Sequence, residues 1–268
     1  MFQTKCMIEN IRELGSDYYL IELNCPEIAK EARPGHFVNV RITGVQFVIL
    51  RRPLAVFDVV GNTVKLFMKV AGRGTKWMSQ CRPGTELDIV GPLGKGLFEI
   101  NSVKRIILVA GGVGLAPLYY FLSYYKKENV EKVLFYGARK SDHLYFQNEL
   151  ISLTNKCYFV TEDGSLGEKG MVNEELRKFF LLSEPRSDDL IMTCGPNPMI
   201  KEIVKFAHSE KIQCQVSLES YMGCGTGVCL SCVVPSNDTR EDGEKYFQVC
   251  CEGPVVDSKR IDESFFDN

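Results

Sequence analysis

Arg105-Ile106-Ile107-Leu108-Val109-Ala110-Gly111-Gly112-Val113-Gly114-Leu115-Ala116-Pro117 runs from an apolar strand through three glycines into the start of a helical pattern. A strand-to-helix turn rich in glycine lets backbone come close to a pyrophosphate, and the helix N-terminus offers free N–H groups and a positive dipole end. The last glycine of the usual dinucleotide fingerprint is absent, with Pro117 in its place. By itself the loop also fits a purely structural turn. A second loop, Cys194-Gly195-Pro196-Asn197-Pro198, follows another apolar strand. In an open parallel sheet ligands sit beyond the carboxyl ends of the strands, so two such loops at two strand ends face one crevice and together favour a bound dinucleotide.

Outward from this stretch the rhythm continues on its C-terminal side. The apolar runs RIILVA, VLFYG, CYFVT, LIMTC and QCQVS alternate with helical patterns beginning after Leu115, Phe146, Asn173 and Asn197. Alternation of this kind predicts a parallel sheet covered by helices. The change of rhythm comes after Asn101. On its N-terminal side, short β-branched and aromatic runs such as FVNVRI, VKLFMKV and LDIVG are broken by turn signals at Pro34-Gly35, Gly61-Asn62 and Pro83-Gly84. They predict an antiparallel barrel or sandwich, and a barrel is the expectation carried forward. From about Ser220 neither rhythm persists, and Gly and Cys dominate. The expected organisation is a β-barrel domain over 1–99, an α/β nucleotide domain over 100–213 and a small cysteine-bearing domain over 214–268.

With 268 residues, 45% hydrophobic and 25% charged, the chain has material for two or three cores. A formal charge of −2 offers no long-range attraction to nucleic acid or to anionic lipid. No run approaches the roughly 18 apolar residues of a membrane span, and Met1–Asn10 carries no apolar segment with a cleavage site. The expectation is therefore a cytoplasmic protein. The eleven cysteines are odd in number, and several stand singly in apolar runs, which argues against a disulfide framework. Cys6, Cys25, Cys81, Cys157 and Cys214 are expected as small core residues.

The most specific signal is Cys224-Gly225-Thr226-Gly227-Val228-Cys229-Leu230-Ser231-Cys232. It has the C-x4-C-x2-C spacing of plant-type 2Fe-2S sites, and a fourth thiolate is available from Cys250 or Cys251. A loop that wraps a cluster must bring backbone N–H groups to the sulfurs, which is work for glycine. The competing structural zinc site takes four cysteines as two separated pairs, and here only Cys229 and Cys232 make a pair of that kind.

Leu50-Arg51-Arg52-Pro53-Leu54-Ala55-Val56, at the end of the barrel's apolar run, supplies the context that gathers these motifs. Together they resemble the ferredoxin reductase superfamily, and more closely the electron-transfer subunits of type B dihydroorotate dehydrogenases, through essentially the whole chain. The resemblance places the flavin signature on Arg52, Pro53, Leu54 and Ala55, on Phe67, Met68 and Lys69, and on Gly74 and Thr75. It places the nucleotide loops on Gly111, Gly112 and Gly114 and on Cys194, Gly195 and Pro196, with Cys194 near the nicotinamide. The cluster ligands fall on Cys224, Cys229, Cys232 and Cys250. Cys250 is chosen over Cys251 because Val249-Cys250 followed by two residues and Gly253-Pro254-Val255 matches the family pattern. Ala55 stands where a serine is common, Lys69 where an arginine is common, and His36 where glutamine is expected.

The resemblance implies FAD, a 2Fe-2S cluster and NAD, with electrons passing in the order nicotinamide, FAD, cluster. Arg52 and Lys69 would neutralise flavin phosphate, and Gly74 and Thr75 would donate hydrogen bonds to it. It implies a partner too, an FMN-containing dihydroorotate dehydrogenase catalytic subunit in a heterotetramer with two copies of each chain, serving pyrimidine biosynthesis. A second reading gives the same cofactors to an NADH-dependent ferredoxin:NADP oxidoreductase or a sulfhydrogenase. In that reading Arg139-Lys140 receives a 2′-phosphate. A third reading, from another class, is a non-catalytic zinc-binding regulatory protein. Asp163, in an Asp-Gly pair, reads first as a turn residue.

Overall fold

The computed structural model describes residues 1–100, 102–241 and 243–267. Asn101, where the rhythm changes, lies outside them, as do Asp242 and Asn268 of the C-terminal domain.

Six antiparallel strands close a barrel in the order β1-β2-β5-β4-β3-β6. They are β1 (Phe2–Gly15), β2 (Tyr18–Asn24), β3 (Phe37–Val40), β4 (Arg52–Val60), β5 (Thr63–Lys69) and β6 (Glu86–Leu93). Inward positions such as Ile8, Ile21, Leu23, Val38, Val40, Val56, Leu66 and Ile89 fill its interior. The short helices α1 (Pro26–Glu31) and α2 (Arg73–Ser79) interrupt the meander. The antiparallel register places Met7 opposite Asn24, so Cys6 falls beside Cys25 and the two are joined as a disulfide. This corrects the expectation of two separate core thiols. Both are buried as expected, but the pairing depends on strand register, which their positions in sequence do not reveal.

The second layer is a sheet in the order β10-β9-β8-β7-β11-β12-β15. Its strands are β7 (Arg105–Gly111), β8 (Glu131–Ala138), β9 (Lys156–Thr161), β10 (Glu168–Lys169), β11 (Asp189–Cys194) and β12 (Gln213–Ser217), all parallel, with β15 (Val255–Asp257) antiparallel at the edge. Helices α3 (Leu115–Tyr124), α4 (Gln147–Leu153), α5 (Val172–Leu182) and α6 (Asn197–Ser209) form where the helical patterns predict them. Pro117 sits in the first turn of α3, where a missing N–H costs nothing. Arg105, 1% exposed, is held by Asp189 at 2.7 and 2.6 Å and by Ser183 Oγ at 2.6 Å, which ties β7 to β11 and to the end of α5.

The C-terminal segment carries the hairpin β13 (Val233–Pro235) and β14 (Tyr246–Gln248) and then returns to the sheet as β15. The expected boundary at 213/214 thus falls inside β12, and the last 55 residues are stitched to both other layers. Against the sheet, Phe247, Val249 and Cys250 share one core with α6. Against the barrel, Lys95 and Gly96 donate their N–H groups to the Gly253 carbonyl at 2.9 and 3.0 Å.

Candidate nucleotide cleft and cluster loop

The strand order reverses at β7: the chain moves outward through β8, β9 and β10, then returns to β11 on β7's other side. Parallel sheets bind ligands beyond the strand ends at such a switch point. Both glycine loops lie there, because Ala110 pairs with Cys194 and the loops that follow are forced together. A Cβ on Gly111 would stand 2.8 Å from both Met199 Sδ and Pro196 Cδ. A Cβ on Gly114 would collide with the Cys194 carbonyl. Gly112, at φ +54°, opens instead on the cleft, where an added Cβ would meet only the Tyr18 hydroxyl at 3.6 Å.

The cleft has a volume of about 550 Å³. The strand-end loops form one wall, and Tyr18 and Lys69 of the barrel form the facing one, with the Lys69 Nζ 5.3 Å from the Tyr18 ring. Its concave shape, with glycine and apolar walls and polar side chains at Lys69, Arg139, His143, Glu162 and Glu219, suits a nucleotide. Cys194 lies beneath Gly195, 3% exposed, and is not among the residues lining the cleft. Burial, then the charge of Glu219, raises its thiol far above the usual range, so it stays protonated and holds shape without exchanging a proton.

The flavin signature divides in the fold. Arg52, Pro53, Leu54 and Ala55 are half-buried along the start of β4. Arg52 lies over α2, where a Cβ on Gly74 would come within 2.7 Å of its Nε, and its Nη1 donates to the Leu50 carbonyl at 2.7 Å. Lys69 lines the nucleotide cleft, which Arg52 and Gly74 do not. Phe67 and Met68 are core residues at 2% and 1% exposure, with Phe67 stacked on Tyr18 at 5.5 Å. The Thr75 hydroxyl is engaged in capping α2: it accepts from Ala71 N at 2.9 Å and Gly72 N at 3.1 Å and donates to the Gly72 carbonyl at 3.1 Å.

In the cysteine loop the thiols fall into two pairs. Cys224 N–H donates to Cys229 Sγ at 3.3 Å, and Cys250 N–H donates to Cys232 Sγ at 3.4 Å. Burial alone would raise the Cys224 thiol, but backbone donors at Thr226 and Cys229 hold it down at about 6. Ser231 and the Cys224 N–H lower Cys229. Burial raises Cys250, with Cys232 and Cys251 adding to it. Gly225 and Gly227 turn at φ +74° and +87°, a conformation that side chains rarely adopt. Among the described residues no three His, Cys, Asp or Glu side chains converge on one point as they would for a single metal ion. Thiols in two pairs, with N–H groups aimed at sulfur, fit two irons better than one zinc.

The barrel adjoins both sites. Asn39 on β3, fully buried, donates from Nδ2 to the Cys224 carbonyl at 3.4 Å, and its strand partner is Pro53 of the flavin signature. Its Oδ1 is buried with no hydrogen-bond partner. Tyr18, His143, Arg139, Glu162 and Glu219 line the cleft, and of these the sequence marks only Arg139, as the 2′-phosphate ligand of the second reading. Glu219 stands just beyond Leu218 after the end of β12, so the strand-end rule that marks the two glycine loops marks it as well. Its carboxyl is raised by burial in the cleft. Nothing in sequence singles out Tyr18. Asp163 is a turn residue, accepting from Ser165 N at 2.9 Å and Ser165 Oγ at 2.6 Å. His36 explains its own departure from glutamine: Nδ1 accepts from Arg33 N–H at 2.9 Å and the ring N–H donates to the Gly94 carbonyl, one acceptor and one donor as a carboxamide would supply.

Known proteins carry the same arrangement. Residues 108–205 match the oxidoreductase NAD-binding domain family, and residues 219–262 match the iron–sulfur cluster binding domain of dihydroorotate dehydrogenase B. The electron transfer subunit of dihydroorotate dehydrogenase B (NAD(+)) from Fusobacterium nucleatum is 32% identical, covering 93% of this chain and 95% of that protein. Its counterpart from Caldanaerobacter subterraneus is 34% identical over 97% and 98%. The solved structure of an NADH-dependent reduced ferredoxin-NADP oxidoreductase superposes with a TM-score of 0.83 at 30% identity, covering 97% of this chain and 90% of that one. The cytochrome b5 reductase domain of Ulva prolifera nitrate reductase, with a TM-score of 0.64 at 16% identity over 75% and 89%, shares the fold. The chain therefore belongs to the family of dihydroorotate dehydrogenase B electron-transfer subunits, oxidoreductase subunits of ferredoxin-reductase-like fold.

Proposed function

We propose that this chain passes electrons between NAD, FAD and a 2Fe-2S cluster, and that it accepts them from an FMN-containing catalytic subunit that oxidises dihydroorotate in the cytoplasm. The observation that carries this reading is the position of the barrel: Lys69 and Tyr18 face the nucleotide cleft, while Asn39, opposite Pro53, touches the cysteine loop. A nicotinamide exchanges electrons in pairs as hydride, a 2Fe-2S cluster exchanges them singly, and FAD does both.

The chain's residues divide the remaining work. Gly111, Gly112 and Gly114 admit the nucleotide pyrophosphate to the N–H groups that open α3, and Gly195 and Pro196 close the second side. Cys194, a buried neutral thiol, supports the nicotinamide end of the cleft from below. Arg52 balances flavin diphosphate beside the backbone donors near Gly74, and the half-buried Pro53, Leu54 and Ala55 edge supports the ring. Lys69 lends its charge to the junction of flavin and nucleotide in place of an arginine. Cys224, Cys229, Cys232 and Cys250 would hold the 2Fe-2S cluster through their sulfurs. The rim of the loop exposes Tyr221 at 94% and Val228 at 82%, an apolar edge suited to a partner subunit.

One observation favours the second reading, in which the same cofactors serve a ferredoxin:NADP oxidoreductase: Arg139 lines the cleft, where it would meet a 2′-phosphate. Glu162, on the next strand end, lines the same cleft and opposes that charge. Anaerobic affinity purification from the native organism separates the two. Dihydroorotate-dependent reduction of NAD+ by a complex containing an FMN subunit supports the first; ferredoxin-linked NADP activity without that subunit replaces it with the second.

A further inference from the structure

Consecutive side chains in extended backbone point apart, yet the sulfurs of Cys250 and Cys251 lie 3.7 Å from each other. The cause is the turn at 248–252, in which the N–H groups of Cys251 and Glu252 both bond the Gln248 carbonyl, at 3.1 and 2.8 Å. Cys251 Sγ is thereby brought against the cysteine loop, where a Cβ on Gly227 would stand 2.6 Å from it. Both residues line one cavity of about 370 Å³, shared with Gly225 and Thr226, the residues that follow Cys224. A fifth thiol thus stands within reach of a site that needs four. Cys250 is the resident of the pair, since it is 2% exposed and its N–H bonds Cys232 Sγ.

We propose that Cys251 is a reserve cluster ligand, able to take the fourth coordination position when Cys250 is absent. An iron–Sγ bond to Cys251 then forms in the position that Cys250 leaves open, the Cys251 proton passes to solvent, and the iron keeps its oxidation state. The inference rests on the 2Fe-2S reading above and goes beyond it, because a motif that needs four cysteines assigns no task to a fifth.

The test compares iron, acid-labile sulfide and the electron paramagnetic resonance of the reduced protein in Cys250→Ala, Cys250→Ser, Cys251→Ala, the double variant Cys250→Ala/Cys251→Ala and Cys229→Ser, all purified anaerobically with bound FAD as the measure of folding. Cys250→Ala is expected to keep most of its iron and sulfide with a shifted resonance, and Cys251→Ala to resemble wild type. The double variant and Cys229→Ser should lose iron roughly tenfold or more and retain FAD. Iron loss in Cys250→Ala equal to that in Cys229→Ser, with FAD retained, overturns the proposal. So does retention in Cys250→Ser alone, which would make the serine oxygen the ligand. If Cys250→Ala does not accumulate folded, reconstituting refolded protein with iron and sulfide gives the same reading. Wild-type protein without iron and sulfide would overturn the cluster assignment itself, a result distinct from an iron-loaded wild type with an iron-poor Cys250→Ala.

Discussion

His36 shows how one residue reconciles a departure in sequence with a fixed local structure. Burial first, and then Arg33, lowers its imidazole from 6.5 to about 4, and the neutral ring bridges Arg33 N–H and the Gly94 carbonyl. Between these values the unfolded chain binds a proton that the folded chain refuses. Stability is therefore complete above pH 6.5 and is lost as pH falls toward 4. His36→Gln keeps a donor and an acceptor without a titrating group. It is expected to remove about 2 kcal/mol of the acid destabilisation, allowing for solvent screening at a half-buried site, and to leave stability at pH 7.5 nearly unchanged. Thermal melts of both proteins at pH 5 and pH 7.5 check this; equal losses on acidification would contradict it. At this scale sequence is an uneven guide. The glycines and the loop cysteines are legible because their chemistry admits few substitutes. The disulfide between Cys6 and Cys25 is not, because register brings them together. The engagement of the Thr75 hydroxyl in capping α2 is hidden for a similar reason, since the hydroxyl could equally have faced a ligand.

Among the elements, the loop joining β7 to α3 answers most directly to a single added methyl group. Gly114 packs on the Cys194 carbonyl at the end of β11, and backbone there cannot swing aside as a side-chain tip would. Gly114→Ala is expected to cost about 1–3 kcal/mol of stability, as overpacking does. By spreading the two loops it should also raise the KM for NADH roughly tenfold, a loss of about 1.4 kcal/mol in binding. Calorimetry and NADH-dependent reduction of an artificial acceptor measure the two effects; an unchanged KM with a lowered melting temperature would restrict Gly114 to packing. The strands and helices of this layer were legible because each has its own period: β7 and β11 are buried along their whole length and apolar apart from Thr193 and the Arg105–Asp189 pair at their starts, and α5 and α6 each carry one apolar face. The return of β15 to the edge beyond β12 was not legible. Val255–Asp257 is too short to announce itself, and its partner lies about 40 residues earlier. Tyr18 enters the cleft by the same kind of distant assembly.

At the scale of the whole molecule, three layers bring two candidate sites against one barrel. The cleft lies between the barrel and the switch point of the sheet, and the cysteine loop lies against β3. The C-terminal segment bonds to both layers, through Gly253 on the barrel side and β15 on the sheet side, so the loop is held at a fixed place between them. Such an arrangement suits electron transfer, which needs short and constant separations and no large motion. The measurement that bears most directly on this is an anaerobic titration of the purified chain with NADH, followed by visible absorbance and electron paramagnetic resonance. Protein holding iron, sulfide and FAD in the proportions of one 2Fe-2S cluster and one flavin, with NADH bleaching the flavin and bringing up the resonance of a reduced cluster, is the predicted result. Colourless protein, or protein that binds zinc and gives no resonance with NADH, would contradict it.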